Sequence, residues 1–271
     1  MHAATTHHAK LALLAKAGFV PHLIQIGVEI SSEAPPLTPP QGGEQYRSDS
    51  VAIGSPHCLT IKELEKKEDF WSSETIVVTL PFRRQFPDPW IYVAQMREIV
   101  SKLSSHQRVL LTSSTSYYPD CDHSVDEDLA FSPISPRLKA LAAAESVIVS
   151  HPGPSAVLRL GGLYGPGREI RGFAKKGLER RALGSRVNLI HRDDVIAIVR
   201  RMVCDDVGWG CALNAVSDAH PSRGDLYGVC AVAAVSQVEK GKIVSNQKLK
   251  MALDYQFCYP DPLALIEDFS Q

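Results

Sequence analysis

Short, unbroken apolar runs at 22–30, 75–80, 108–112, 155–160, 187–190 and 211–216 alternate along the chain with segments of another kind. In those segments, at 8–17, 89–104, 137–149, 193–205 and 246–253, apolar residues recur every three or four positions. Strands covered on both faces lose polar alternation, whereas an amphipathic helix keeps a period near 3.6. Strand and helix in turn predict an α/β protein with a doubly wound parallel sheet. The stretch 33–50, with Pro35-Pro36, Pro39-Pro40 and Gly42-Gly43, is a loop by composition. From about residue 164 the pattern thins, and Gly165, Pro166 and Gly167 mark a turn. The expected division is a sheet region at 1–163 and a smaller C-terminal lobe at 164–271, interleaved as one unit.

Composition narrows the class without naming a chemistry. At 271 residues, 44% hydrophobic and 22% charged, the chain can bury a substantial core. A formal net charge of -1 gives no electrostatic reason to expect nucleic acid. The six cysteines stand without C-x-x-C spacing, so neither a zinc site nor a disulfide framework is expected. His2, His7 and His8 have no cysteine or carboxylate beside them and read as a terminal segment, not a metal site. No apolar run reaches the ~18–20 residues of a membrane span, and no signal-peptide core is present, so the expectation is a cytoplasmic protein. An α/β hydrolase would need a G-x-S-x-G elbow, which the sequence lacks.

Candidate chemistry sits where Val109, Leu110, Leu111 and Thr112 run into Ser113, Ser114, Thr115 and Ser116. This is a buried strand ending in hydroxyls, and ligands of open α/β sheets bind at such carboxyl ends. The segment resembles the serine strand of the extended short-chain dehydrogenases/reductases, the NAD(P)-dependent epimerase/dehydratase family. Further blocks follow in the family's order. Residues 75–84 resemble the fourth strand and its turn, 158–168 the strand end before a Y-G-P-G-R motif, and 187–194 an N-x-I-H-x-D-D entry to a helix. Ala219-His220-Pro221 and Tyr259 to Pro262 resemble a YeeZ-like bacterial branch.

The resemblance implies a Rossmann-like fold, an NAD or NADP cofactor and a sugar nucleotide or other small hydroxylated substrate. It assigns Ser114 to substrate hydrogen bonding during catalysis. Leu80, Pro81, Thr112, Ser113, Leu160, Gly161, Gly162 and Leu163 would border the cofactor. Ser116, Tyr118, Tyr164, Arg168, Asn188 and His191 would border the substrate. It also implies a homodimer through the helices at 89–104 and 137–149. Read without the family, Asp193-Asp194 caps a helix, and His191 is an interior histidine.

Two departures stand out. The family's dinucleotide fingerprint is a strand, three glycines and a helix, the glycines letting phosphate approach the helix N-terminus. Here the positions aligned with those glycines fall near His2, Ala4 or Thr5, and His7, and the first strand is expected to be missing from an incomplete N-terminus. The family's Tyr-x-x-x-Lys pair shuttles a proton once the tyrosine pKa is brought down from ~10. Anchored on Pro133 and Glu145, the two positions hold Arg137 and Leu141, neither of which can act as a base. Ser135 and Lys139 share the i, i+4 spacing, but Pro136 makes Ser135 a helix cap. A catalytically silent binding or regulatory module is therefore the alternative to an enzyme.

Overall fold

The computed structural model describes residues 2–5, 20–25, 59–60, 71–82, 88–170, 183–227 and 240–264. Its main sheet has seven strands, all parallel. They are β1 (His2–Thr5), β2 (Val20–Gln25), β3 (Leu59–Thr60), β4 (Thr75–Val78), β5 (Arg108–Ser114), β7 (Ser155–Leu160) and β10 (Ala212–Ala215). The spatial order is β3-β2-β1-β4-β5-β7-β10. Two small pairings flank it: β8 (Gly162–Tyr164) with β9 (Leu189–His191), and β6 (Ser124–Val125) with β11 (Ile243–Val244).

The expectation of a missing first strand is corrected here. His2–Thr5 lies at the centre of the sheet, with His2 opposite both Val20 and Ile76. Four small or polar residues carry no hydrophobic signature. Backbone hydrogen bonding to neighbours on both sides defines this strand, and apolar patterning cannot report such a contribution. The predicted helix 8–17 and loop 33–50 lie outside the described residues.

Helices α1 (Trp90–Ser101) and α2 (Pro136–Val149) cover one face of the sheet. Ile76, Val78, Val109, Leu111 and Val157 there pack with Tyr92, Met96, Ala144 and Ile148. On the other face α3 (Arg192–Cys204) and α5 (Gln247–Leu253) bring Ile198, Met202 and Leu249 onto Val77, Leu110, Ala156, Leu158 and Leu213. Successive residues of β4 and β5 thus enter opposite cores, which is why their sequences show no polar alternation. Burying each such side chain stabilises the fold by about 1.5–3 kcal/mol. A short α4 (Arg223–Tyr227) follows β10.

The strands at 155–160 and 211–216 and the helices at 89–104, 137–149, 193–205 and 246–253 appear within a few residues of expectation. The run at 187–190 is displaced by its pairing with β8 and becomes β9. The elements beyond residue 164 return to the sheet, β10 as its edge strand and α3 and α5 as its cover. Among the described residues, no helix is long and apolar enough to cross a membrane.

Candidate functional site

The carboxyl ends of β5 and β7 open into two adjoining cavities. The larger, of about 710 Å³, has Ser114, Thr115 and Ser116 on one side. Arg186, Arg223, Lys240 and Lys242 stand around it, with Asp120 and Asp122 as its carboxylates. The smaller, of about 510 Å³, lies between Phe82, Tyr118, Arg137 and Leu141, with Ser135 and Lys242 also on its wall. Ser116, Asp120 and Lys242 line both.

The hydroxyl cluster after β5 divides its labour. Thr112 Oγ1 donates to the Val78 carbonyl at 3.2 Å, tying β5 to β4. Ser113 Oγ donates to Glu145 Oε1 at 2.5 Å in the interior. Both were expected at the cofactor, but their hydroxyls are committed to the scaffold. Ser114 caps a single 3₁₀ turn at Thr115–Tyr117, where its Oγ accepts the Ser116 N–H at 3.1 Å. It lines the larger cavity.

Beneath this edge lies a buried polar network. Arg159 on β7 pairs with Glu145 on α2, its Nη2 donating to Oε2 at 2.8 Å and its Nε to the same oxygen at 3.1 Å. Arg159 Nη1 donates to the Tyr118 hydroxyl at 2.9 Å, and that hydroxyl donates to Asn214 Oδ1 at 2.9 Å. The guanidinium also lies 3.5 Å from the Tyr117 ring centre. Burial pushes the Tyr118 phenol up to about 12, against the opposing pull of Arg159 and Asn214. Tyr118 therefore presents its ring to the smaller cavity and keeps its hydroxyl inside, which excludes it as a proton shuttle near neutrality. Neither Arg159 nor Asn214 was expected at the site, and Glu145 served only as an alignment landmark. The readable signal was a lone arginine in the apolar run Val157-Leu158-Arg159-Leu160.

The positions of the family pair are both filled by other chemistry. Arg137 Nη2 donates to the Phe82 carbonyl at 2.9 Å, and its guanidinium stacks 3.9 Å from the Phe82 ring centre. Leu141 is buried in the α1–α2 core. Ser135 caps α2 by accepting the Leu138 N–H, as its place before Pro136 predicts. Lys242 was not foreseen. Its ammonium donates to the carbonyls of Tyr118 at 2.7 Å and Pro119 at 3.3 Å, and burial lowers its pKa.

The residues expected to border a cofactor differ in exposure. Leu80 is buried, and its carbonyl accepts the Tyr92 hydroxyl at 3.1 Å, while Pro81 is exposed after it. Gly161 is in close backbone contact: an added Cβ would meet the Asn188 carbonyl oxygen at 2.9 Å. Gly162 is exposed and faces the larger cavity, and Leu160 and Leu163 are half-buried.

The remaining expected substrate residues act mainly on the scaffold. Asn188 borders the larger cavity, but its amide is engaged with the Lys242 carbonyl at 2.9 Å and the Val244 N–H at 2.8 Å. Tyr164 is buried, Arg168 is exposed on the turn after it, and neither lines either cavity. His191 Nδ1 accepts the Asp193 N–H at 3.2 Å and so caps α3, and its ring stacks on Tyr259 at 3.6 Å. Burial lowers its pKa, and accepting through Nδ1 leaves the neutral ring's proton on Nε2. The capping role expected of Asp193-Asp194 thus belongs to His191. Asp194, fully buried, instead accepts from Tyr255 Oη at 2.8 Å, the Cys258 N–H at 2.8 Å and the Tyr259 N–H at 3.1 Å. Among the described residues no cluster of His, Cys, Asp or Glu could hold a metal.

A parallel sheet in the order 3-2-1-4-5-6, extended by one strand and opening at the serine strand, defines a Rossmann-like α/β protein. Solved structures agree on that fold. An NAD-dependent epimerase/dehydratase from Methylobacillus flagellatus superposes with a TM-score of 0.63 at 20% identity, over 99% of this chain and 97% of that one. MoeE5, solved with UDP-glucose and NAD, superposes with a TM-score of 0.63 at 14% identity, over 97% and 95%. The chain belongs to the family of Protein YeeZ of Escherichia coli K12, with which it is 33% identical over 208 residues, 71% of this chain and 74% of the relative. No protein-family model matches the chain.

Proposed function

We propose that this protein binds NAD(P) and a nucleotide sugar, as an epimerase/dehydratase-like oxidoreductase that works without the Tyr-x-x-x-Lys pair. The observation that carries this reading is the larger cavity. Serine hydroxyls at its sheet side match a hydroxylated sugar, and four cationic side chains around it match a diphosphate. The fold relative solved with UDP-glucose and NAD supports the same pairing of ligands.

A dinucleotide would lie where strand order reverses, between β1 and β4, with Leu80 and Pro81 as an uncharged wall. The fit is weaker at the pyrophosphate. No glycine stands between Thr5 and Gly18, so backbone approach to phosphate is restricted. When bound, a nicotinamide supplies reversible hydride transfer. The chain's own part is to hold the ligand: Ser114 donates to a sugar hydroxyl, and Arg137 contributes positive charge without accepting a proton.

Calorimetric titration with UDP-glucose, with and without NAD⁺ or NADP⁺, tests the reading. A melting temperature unmoved by either nicotinamide nucleotide and an absence of heat with the nucleotide sugar would overturn it. A second reading, a catalytically silent binding module, is favoured by one observation: Arg137 and Leu141 fill the shuttle positions and Tyr118 is locked inward. Turnover that Ser114→Ala abolishes would exclude that second reading.

A further inference from the structure

We propose that residues 240–246 form a strap whose seating builds the larger cavity, with Lys242 and Asn188 as its positioning residues. The inference rests on the reading of that cavity as the ligand site and concerns how the site is assembled.

Three separate stretches of chain bring residues to the cavity, at 114–122, 185–189 and 240–242. The third is bonded to both of the others. On one side, Lys242 Nζ donates to the Tyr118 carbonyl at 2.7 Å and the Pro119 carbonyl at 3.3 Å, with the Asp120 carboxylate 3.8 Å away. The Gly241 N–H donates to Asp122 Oδ1 at 2.7 Å. The Ile243 N–H donates to the His123 carbonyl at 3.2 Å, and the Ser245 N–H to the Val125 carbonyl at 2.8 Å. On the other side, Asn188 donates through Nδ2 to the Lys242 carbonyl at 2.9 Å and accepts the Val244 N–H at 2.8 Å. The Arg186 N–H donates to the Lys240 carbonyl at 2.7 Å. The Asn188 amide thus serves the strap's backbone as a neighbouring strand would.

Apolar burial contributes little to this seating. Between Lys240 and Ser245 only Val244 is fully buried, against Tyr118, Val125 and Val216. The end at Asn246 is fixed, because its amide donates to the Val216 carbonyl at 2.9 Å and to Asp218 at 2.8 Å, and α5 starts at the next residue. A segment held by hydrogen bonds and one apolar side chain opens at lower free energy than a buried sheet. When it lifts from that fixed end, Lys240, Gly241 and Lys242 leave the cavity. The loop 118–123 then loses its tie to 186–188. A ligand touching all three stretches binds the seated form, so binding and seating are one linked equilibrium. The Lys242 ammonium is engaged with the loop, and its part is to hold the wall in place.

The test is amide hydrogen exchange on the full chain, resolved by residue. In the unaltered protein the amides of Gly241, Ile243, Val244 and Ser245 are expected to share one protection factor, well below that of β5. Exchange in step with β5 overturns the proposal. Lys242→Met is expected to lower the shared factor about tenfold, the loss of a hydrogen bond to a charged group, at Ser245 as much as at Gly241. Asn188→Asp, which gives up the bond donated to the Lys242 carbonyl, is expected to lower it at the same four amides. An effect confined to the neighbours of the altered residue, or none, overturns the proposal. UDP-glucose at a hundredfold excess over its Kd is expected to raise the factor about a hundredfold, again as far as Ser245. Binding heat with Ser245 unmoved overturns the link between ligand and strap. If UDP-glucose gives no heat, the reading of the larger cavity fails, and the two variants alone uphold or overturn the strap.

Discussion

Ser114 owes its orientation to a contact within its own turn. Because its oxygen accepts the Ser116 N–H, its proton is directed to an acceptor outside that bond, and the cavity is where a ligand supplies one. Ser114→Ala is expected to weaken nucleotide-sugar binding by about tenfold, the value of one hydrogen bond of ~1–1.5 kcal/mol, as read by calorimetry. His191 yields a prediction about pH. Burial holds its pKa below the ordinary value, and His220 is shifted the same way by burial and by Arg186. The unfolded chain therefore binds more protons than the folded one as pH falls through the free-histidine value near ~6.5. Stability against urea is expected to hold above that value and to fall below it. His191→Asn, whose side-chain oxygen can still cap α3, should flatten part of that slope.

At the scale of elements, the Arg159–Glu145 pair joins β7 to α2 beneath the site. Arg159→Met would leave Glu145 buried without its partner and should lower unfolding free energy by about 3–5 kcal/mol, measured by urea denaturation. Arg159→Met combined with Glu145→Leu should recover much of that loss, because no orphan charge remains. Gly161→Ala should be destabilising by about 1–3 kcal/mol, since the Asn188 backbone stands where the methyl must go.

These same elements show how far sequence reading reaches. The runs that became β4, β5, β7 and β10 were legible because both of their faces are buried. Ser114 was legible because it ends such a run. Lys242 and Arg186 were not, because their place at the cavity depends on loops returning from distant chain positions. Hydroxyl-rich composition likewise cannot tell Ser113, turned toward Glu145, from Ser114, turned toward solvent.

For the whole molecule, β1 joins β2 and β3 on one side of the sheet to β4, β5, β7 and β10 on the other. Among the described residues, β1 shares four paired positions with β2 and three with β4, whereas β5 and β7 share six. Hydrogen exchange should therefore proceed through partial openings, with β2 amides exchanging well before those of β5. The two proposed ligands meet the seam at β1 differently. A dinucleotide in the proposed crevice would lie across it, at β1 and β4, while the cleft around Ser114 lies at the carboxyl ends of β5 and β7. Nicotinamide nucleotide would thus act as a clasp on β2 and β3, and its affinity would carry the free energy of holding that seam shut. A sugar nucleotide would bind with the seam open or closed, so protection of β2 should rise with the first ligand and stay unchanged with the second.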